Sequence, residues 1–319
     1  MLDDKPANQL CSLLDWYQQK AVYLAKTRDF FKQRQVLEVN TPSLLPEANL
    51  DVHIDSFEVV SQQPFTRAFL QSSPELAIKR LLMQGMGDCY QLGCAFRSEP
   101  LDKWHLPEFM MLEWYRVDWT ADQLMTEVSD WLVEVFDFDP ISCITYAQAF
   151  KEVGLGQIHQ RELSVLQFDL ARFGVDFDTP PTDQVTCLNY LVDQVLAPSW
   201  SKQSVALYDF PVDQALLAQV DRGVCPPVAK RFEVFVDGQE CGNGYQELQD
   251  PQAHEAIWQQ DQIDRKAQGK PTLPLPTKWL ADLERSPLPN CSGVAMGFDR
   301  LVALAMGVDL SHLTSWYQS

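Results

Sequence analysis

Over the first part of the chain, apolar side chains return at helical intervals. Leu10, Leu13, Leu14, Tyr17, Leu24 and Phe31 fall roughly on one stripe, which predicts a helix over residues 9–35. A short strand from Val36 to Val39 follows. It ends at Thr41-Pro42, because proline lacks a donor and restrains the residue before it. Ser73-Pro74-Glu75 opens the next helix, with serine at the cap, proline at the first position and an acid facing the helix dipole. Residues 89–97 and 109–117 predict two strands joined by a polar loop, Ser98 to Pro107, with charges of both signs. Thr120-Ala121-Asp122-Gln123 is a capping box for a helix reaching about Phe136.

From 140 to 200 the pattern yields only helical pieces broken by Gly154, Gly156, Pro180, Pro181 and Pro198, and it assigns them no role. Phe232 to Val236 then alternate into a strand that turns at Asp237-Gly238. Glu240 to Leu248 form its partner, weakened by Gly242 and Gly244. A helix over 250–268, a proline-rich loop, a strand around Val294 to Phe298 and a helix from Asp299 to about Met306 complete the chain. Strands around charged loops with helices interspersed predict an α+β fold with a largely antiparallel sheet. No repeat or long linker divides residues 1–319, so they read as one domain with 140–200 as a poorly legible internal segment. GxxxxGKS/T and GxGxxG are both absent, which argues against a P-loop or Rossmann nucleotide site.

The chain of 319 residues, 46% hydrophobic and 22% charged, is long enough to bury a sizeable core. Its charge is less ordinary: 25 Lys and Arg against 44 Asp and Glu leave a net charge of -19. That field opposes a nucleic-acid backbone and leaves tRNA only a local basic patch to bind. Met1-Leu2-Asp3-Asp4-Lys5-Pro6 lacks the basic and apolar regions of a signal peptide. No apolar run approaches the ~20 residues of a membrane span. Eight scattered cysteines with no CxxC pair read as reduced thiols rather than a zinc site. Together these features predict a cytoplasmic protein with no membrane partner.

Three groups of residues carry candidate chemistry. Phe96-Arg97-Ser98-Glu99, His105 and Pro107-Glu108-Phe109 place a guanidinium able to grip a phosphate near an aromatic able to stack on a base. Alone, they equally describe an exposed hairpin with a surface ion pair. Glu233 and Glu240 lie on two strands joined by a turn, so they can converge across the hairpin. Paired carboxylates beside a phosphate suit Mg²⁺, and Gly242 and Gly244 would let a ligand approach the backbone. The plainer alternative is a solvated acidic hairpin. Gly297-Phe298-Asp299-Arg300 puts an arginine in the first turn of a helix, where the dipole disfavours it and an anionic ligand would justify it.

Taken in chain order, these groups resemble the motifs of class II aminoacyl-tRNA synthetases. The Pro42 segment is similar to the first motif, residues 96–109 to the second and 297–300 to the third. Ser73-Pro74-Glu75-Leu76, Met111-Leu112-Glu113-Trp114-Tyr115 and the run from Glu240 through Asn243 to Leu248 resemble the lysine branch. The start of the chain leaves no room for an anticodon-binding barrel, and Ala295 stands where lysyl-tRNA synthetases carry glycine. Within the class the chain is most similar to the bacterial branch that attaches (R)-β-lysine to elongation factor P. The resemblance implies a six- or seven-stranded antiparallel sheet and a homodimer formed through the Pro42 region. ATP and Mg²⁺ would be used, with a lysine-like amino acid as substrate and elongation factor P as acceptor. Arg97 and Arg300 would be catalytic, gripping phosphates. Ser98, Glu99, His105, Leu106, Phe109, Glu240, Cys241 and Gly297 would complete the ATP site, although Leu106 replaces a polar residue of the relatives. Ser73, Pro74, Glu75, Glu113, Tyr115, Asn243, Glu247 and Ala295 would bind the amino acid, and Glu233 and Glu240 would hold Mg²⁺.

Three other readings stay open. A truncated lysyl-tRNA synthetase is opposed by the acidic balance. A non-catalytic regulatory paralogue is opposed by the intact Arg97, Glu240 and Arg300. An asparagine-synthetase-like enzyme is opposed by the extra pocket acids.

Overall fold

A computed structural model describes residues 12–60, 67–175, 177 and 180–317. Leu10, Cys11 and the N-terminal hexapeptide lie outside these residues. Helix α1 (Leu13–Gln33) starts where the Ser12 hydroxyl accepts the Asp15 N–H at 3.1 Å. It buries Trp16, Thr27, Phe30 and Phe31, while Leu13, Leu14 and Tyr17 are exposed, Leu14 at 66%. Of the expected stripe, Phe31 and Leu24 pack on the core and Leu13, Leu14 and Tyr17 do not, so the buried face is shifted toward Trp16, Thr27 and Phe30. The large rings of Trp16 and Phe30 offer more area for burial than the exposed leucines.

The remaining helices are α2 (Glu75–Met83), α3 (Ala121–Phe136), α4 (Tyr146–Glu152), α5 (Leu163–Arg172), α6 (Gln184–Leu191), α7 (Ala197–Ser199), α8 (Pro251–Ala267), α9 (Thr277–Arg285) and α10 (Phe298–Met306). In α3 the Thr120 and Gln123 capping box forms in both directions. Ser73 sits one residue further out than a cap, with Pro74 at the cap position of α2.

Twelve strands are described: β1 (Leu37–Glu38), β2 (Leu44–Leu45), β3 (Glu58–Val59), β4 (Ala68–Leu70), β5 (Cys89–Phe96), β6 (Glu108–Val117), β7 (Ser142–Thr145), β8 (Ser204–Pro211), β9 (Val220–Asp221), β10 (Val228–Val236), β11 (Gln239–Gln246) and β12 (Cys291–Gly297). Nine form the main sheet in the order β1-β5-β6-β12-β11-β10-β8-β7, with β9 beside β10. The six strands from β5 to β8 in that order are mutually antiparallel. The expected antiparallel sheet is therefore present, extended by the parallel strands β1 and β7 at its two ends. The fold is α+β, as the sequence pattern predicts.

Alternation along the strands divides the sheet into two faces. On the back, Leu112, Trp114, Phe232, Val234, Val294 and Met296 join Phe31 of α1, Trp131 of α3 and Leu301 of α10 in the largest core. Gly242 and Gly244 serve this side. A Cβ at Gly242 would collide with Met296 Sδ, and one at Gly244 with the Phe232 ring. This corrects the expectation that these glycines admit a ligand, because they admit core side chains. The front face is covered at one end by α2, α8 and α9, through Ile78, Leu82, Trp258 and Trp279. At the other end the segment from 146 to 200 packs Tyr146, Phe150, Leu166 and Leu191 against Val205, Leu207, Phe210 and Phe235. The middle of the front face stays open.

The turn between β10 and β11 fixes how this face is presented. Asp237 and Gly238 have φ of 51° and 71°, the left-handed pair that a two-residue hairpin needs. A Cβ at Gly238 would lie 2.6 Å from the Ala197 carbonyl oxygen. Gly238→Ala is therefore expected to cost ~1–3 kcal/mol of unfolding free energy. Urea denaturation checks this, and an unchanged midpoint would show that the turn tolerates a side chain.

Candidate active site

The strand register aligns the candidate residues. Gln91, Glu113, Ala295, Asn243 and Glu233 are successive partners across five strands, forming one transverse row. Two residues along lies a second row, Cys89, Tyr115, Gly293, Tyr245 and Arg231. Partners in register share a face, so both rows face the front, and all their members except the buried Gln91 and Cys89 line its open middle. The cleft above them has a volume of about 810 Å³. It brings together Ser73, Glu75, Arg97, Glu113, Tyr115, Glu233, Glu240, Asn243, Glu247 and Ala295. Eleven of its lining residues are Asp or Glu, against two arginines, Arg97 and Arg231.

The acids concentrate beside α2. Glu113 is buried and accepts from Ser73 Oγ at 2.6 Å and from Tyr115 OH at 2.7 Å. The Ser73 hydroxyl also accepts the Glu75 N–H at 3.0 Å, which ties the start of α2 to β6. Lys79 Nζ lies 2.6 Å from Glu75 Oε1 and 2.6 Å from Glu247 Oε2. Burial, with the Glu75 charge, pushes Glu113 up to about 7. Burial pushes Glu247 up to about 8, Lys79 opposing and Glu75 adding to the shift. These carboxylates resist ionisation chiefly because they are buried, and secondarily because three acids lie close together with one ammonium, which pairs with Glu75 and Glu247. Gly293 makes the arrangement sterically feasible, since a Cβ there would strike the Tyr115 ring and lie 2.7 Å from Glu247 Oε1.

At the other end, Arg231 pairs with Glu233, donates to Asn243 Oδ1 at 3.2 Å and donates to the Gln214 carbonyl at 2.8 Å. Burial raises Glu233 to about 8, with Arg231 opposing and Glu240 and Asp193 adding to the effect. Among the described residues no group of three or more His, Cys, Asp or Glu is arranged to enclose a metal ion. Two carboxylates still match a Mg²⁺ that takes its other ligands from phosphates and water.

The nucleotide candidates are more dispersed. Arg97 has its guanidinium 5.4 Å from the Phe109 ring centroid and Nε 3.4 Å from the Ser72 carbonyl oxygen. Ser98 donates its N–H to the Asp55 carbonyl at 2.7 Å. His105 is exposed and pairs with Asp102 at 2.9 Å, and Glu99 is half-buried in the same loop. Leu106, at 6% exposure, and Cys241, at 2%, lie in the back-face core, so neither side chain is presented to the cleft. Pro74 and Gly297 serve as helix-cap positions. Arg300 donates to the carbonyls of Glu240 and Trp104, the latter at 3.3 Å. An anion is thus not the only partner that explains an arginine at this helix start.

Sequence reasoning passed over Lys79, Tyr245, Asp193 and the loop from Asn49 to Ile54, all at or behind the cleft. Lys79 had a signal, because it follows Glu75 by four residues and shares its helix face. Asp193 had none, since it sits in a five-residue π-helical turn, Val192–Leu196, inside the illegible segment.

The raised Glu113 makes a testable link between pH and stability. Below its ordinary value of 4.5 the carboxyl is protonated whether folded or unfolded, and its contribution is fully present. Between 4.5 and about 7 the unfolded chain releases the proton more readily, and stability is lost as pH rises. Glu113→Gln should therefore gain on the unaltered protein across that window by on the order of 2–3 kcal/mol. Paired thermal melts at each pH would show this, and a constant offset would exclude it.

Comparison with known proteins places these features in a family. The model for tRNA synthetases of class II (D, K and N) matches residues 15–310. A relative from Vibrio vulnificus, named elongation factor P--(R)-beta-lysine ligase, is 38% identical over 301 residues, covering 92% of each chain. Relatives of the same name from Salmonella gallinarum and Vibrio cholerae are also 38% identical. They cover 91% of this chain and 90% and 91% of their own. The chain belongs to the class II tRNA synthetase family of the D, K and N group, in the branch shared with these ligases.

Proposed function

We propose that this chain is a cytoplasmic ligase that activates (R)-β-lysine with ATP and passes it to the ε-amine of a lysine on elongation factor P. The observation that carries the reading is the cluster of Glu75, Glu113 and Glu247 around one internal ammonium. An amino acid with a neutral side chain brings only one ammonium group to such a pocket. A lysine isomer brings two ammonium groups, and each needs a carboxylate once desolvated. The relatives' printed name gives the same substrate and acceptor.

In the first step a substrate carboxylate oxygen attacks the α-phosphorus of ATP, the bond to the β-phosphate breaks, and pyrophosphate leaves. In the second, the acceptor amine attacks the adenylate carbonyl and AMP leaves. Both depend on positioning and charge neutralisation rather than on a side-chain nucleophile. Arg97 faces the cleft beside the amino-acid end and would grip the α-phosphate, and Phe109 beneath it would stack on adenine. Arg300 would take the γ-phosphate by exchanging its carbonyl partners, while Ser98, Glu99 and His105 would close the loop over the nucleotide. Glu233 and Glu240 would hold Mg²⁺, which supplies neutralising charge to the phosphates. Glu113 and Glu247, with Tyr115 and Asn243, would orient the amines. A homodimer through the Pro42 segment would cover Leu37 and Leu44, both exposed in the single chain.

The deciding experiment supplies ATP, Mg²⁺ and labelled (R)-β-lysine with either elongation factor P or lysine tRNA. Label is expected on the protein, with little or none on the tRNA, whose backbone the charge of -19 repels. Label on tRNA alone would overturn the reading. Adenylate formed without transfer to either acceptor would direct the search to another protein acceptor.

Ala295 lies in the same row as Glu113 and Asn243. Its methyl narrows the space between them. Ala295→Gly should shift preference toward L-lysine by ~1–3 kcal/mol, a bias rather than a switch. Pyrophosphate exchange with L-lysine, (R)-β-lysine and (S)-β-lysine measures it, and an unchanged ratio of kcat/KM would count against the role.

A further inference from the structure

Lys79 has no place in the chemistry above, yet it is completely buried. It lies on α2 between Ile78 and the Leu82 turn, in a helix otherwise packed on apolar core. A lysine with no solvent access is retained as an ion only when carboxylates replace its water. Here two do so, Glu75 from its own helix and Glu247 from just past the end of β11, each at 2.6 Å. Burial alone would lower the lysine pKa, but Glu247 and Glu75 raise it, so the ammonium is permanent.

The surrounding groups supply no second cation. Burial raises the hydroxyls of Tyr115 and Tyr245 and the thiols of Cys89 and Cys291, keeping them neutral. Burial lowers His254 on α8 to about 4, so it is neutral as well. Glu75, Glu113 and Glu247 therefore face one positive charge, and no other ion pair reaches them among the described residues.

We propose that Lys79 is a positioning and specificity residue of the substrate pocket. Its fixed ammonium ties Glu75 to Glu247 and leaves Glu113 and the remaining oxygens to a substrate that brings two amines. This inference rests on the function proposed above. Lys79 holds both carboxylates aligned before the substrate arrives, and its charge opposes the protonation of Glu247 that burial favours. Without it, Glu247 holds its proton more tightly, and the substrate amine must displace that proton to bind. The requirement for a side-chain amine then weakens, because protons satisfy the same charge.

The test follows lysine-dependent pyrophosphate exchange across pH in the unaltered chain, Lys79→Met and Lys79→Arg, with norleucine as the substrate lacking a side-chain amine. Lys79→Met is expected to move the acid limb of kcat/KM for lysine upward by about one pH unit, roughly tenfold at a fixed acidic pH. The loss should fall mainly on KM, and lysine should lose preference over norleucine. Lys79→Arg keeps the charge and should keep the limb in place, even if its bulk lowers the rate. An unmoved limb in Lys79→Met, or equal movement in both variants, would reduce Lys79 to packing and overturn the proposal. Should Lys79→Met show no cooperative unfolding transition, the arginine variant decides: a limb in place supports the proposal and a displaced one rejects it. Failure of the unaltered chain to use any lysine isomer would reject the functional reading itself, and is distinguished by occurring without any substitution.

Discussion

Three carboxylates, Glu75, Glu113 and Glu247, must be held around a single buried ammonium, and much of the front of the molecule follows from that constraint. Burial disfavours the charged form and like charges in a dry pocket repel, and the raised Glu113 and Glu247 record both, burial first. A flexible framework would relax by letting one carboxylate swing into water. This one cannot, because each acid comes from a different element. Glu75 begins a helix packed on the core, Glu113 sits in the middle of a ten-residue strand, and Glu247 follows the end of β11. A register slip of one residue would turn Glu113 into the back core and bring Leu112 or Trp114 to the front. Sheet register is therefore a condition of function here as much as of stability.

The back of the sheet supplies the rigidity. Lys20 of α1 pairs with the buried Asp299 at 2.5 Å, and Asp299 also accepts the Met110 N–H at 2.7 Å. One carboxylate thus fastens α1 and α10 to the end of β6 that carries Phe109. A second clamp holds the cleft wall. Arg265, buried in α8, donates to the carbonyls of Asp51 and Ile54 at 2.9 and 3.0 Å and to Asp55 at 2.8 Å. Lys270 adds bonds to Val52 and Asp55. The Asp55 carbonyl in turn accepts from Ser98, so the loop beside the amino-acid pocket and the loop expected to cover the nucleotide share an anchor.

What could be read from the sequence was local. The Thr120 capping box, the Asp237-Gly238 turn and the strands on either side of the Ser98 to Pro107 loop each depend on neighbours in sequence, and each stands where the pattern put it. The misses depend on neighbours in space. The α1 stripe held at Leu24 and Phe31 and failed at Leu13, Leu14 and Tyr17, because Trp16 and Phe30 pack into the core from positions that no helical period singled out. Gly242 and Gly244 were assigned to a ligand because a glycine in a strand signals a close approach without saying to what. Segment 140–200 was opaque because short helices, including a π-helical turn, owe their stability to a core shared with β8 and β10. Among the candidate residues, the register gathers Glu113, Tyr115, Asn243 and Ala295 into two rows, with Ser73, Glu75 and Glu247 on the same cleft. The nucleotide set remains spread over a loop and two helix ends, where backbone contacts rather than motif spacing decide position.

The charge of the cleft gives these separations a chemical consequence. With eleven acids against two arginines, one of which is already paired to Glu233, the cleft repels a bare triphosphate. Arg97 alone cannot offset the charge of ATP. Nucleotide binding on the proposed reading must therefore be conditional on cations that travel with it, and Glu233 and Glu240 at that end of the sheet are placed to accept them. The same negative field that repels free nucleotide attracts a diamino acid. On that reading the two substrates would be drawn to opposite ends of one sheet by opposite solutions to the same electrostatic problem: one would bring its own positive charge covalently, and the other would bring it as a bound ion.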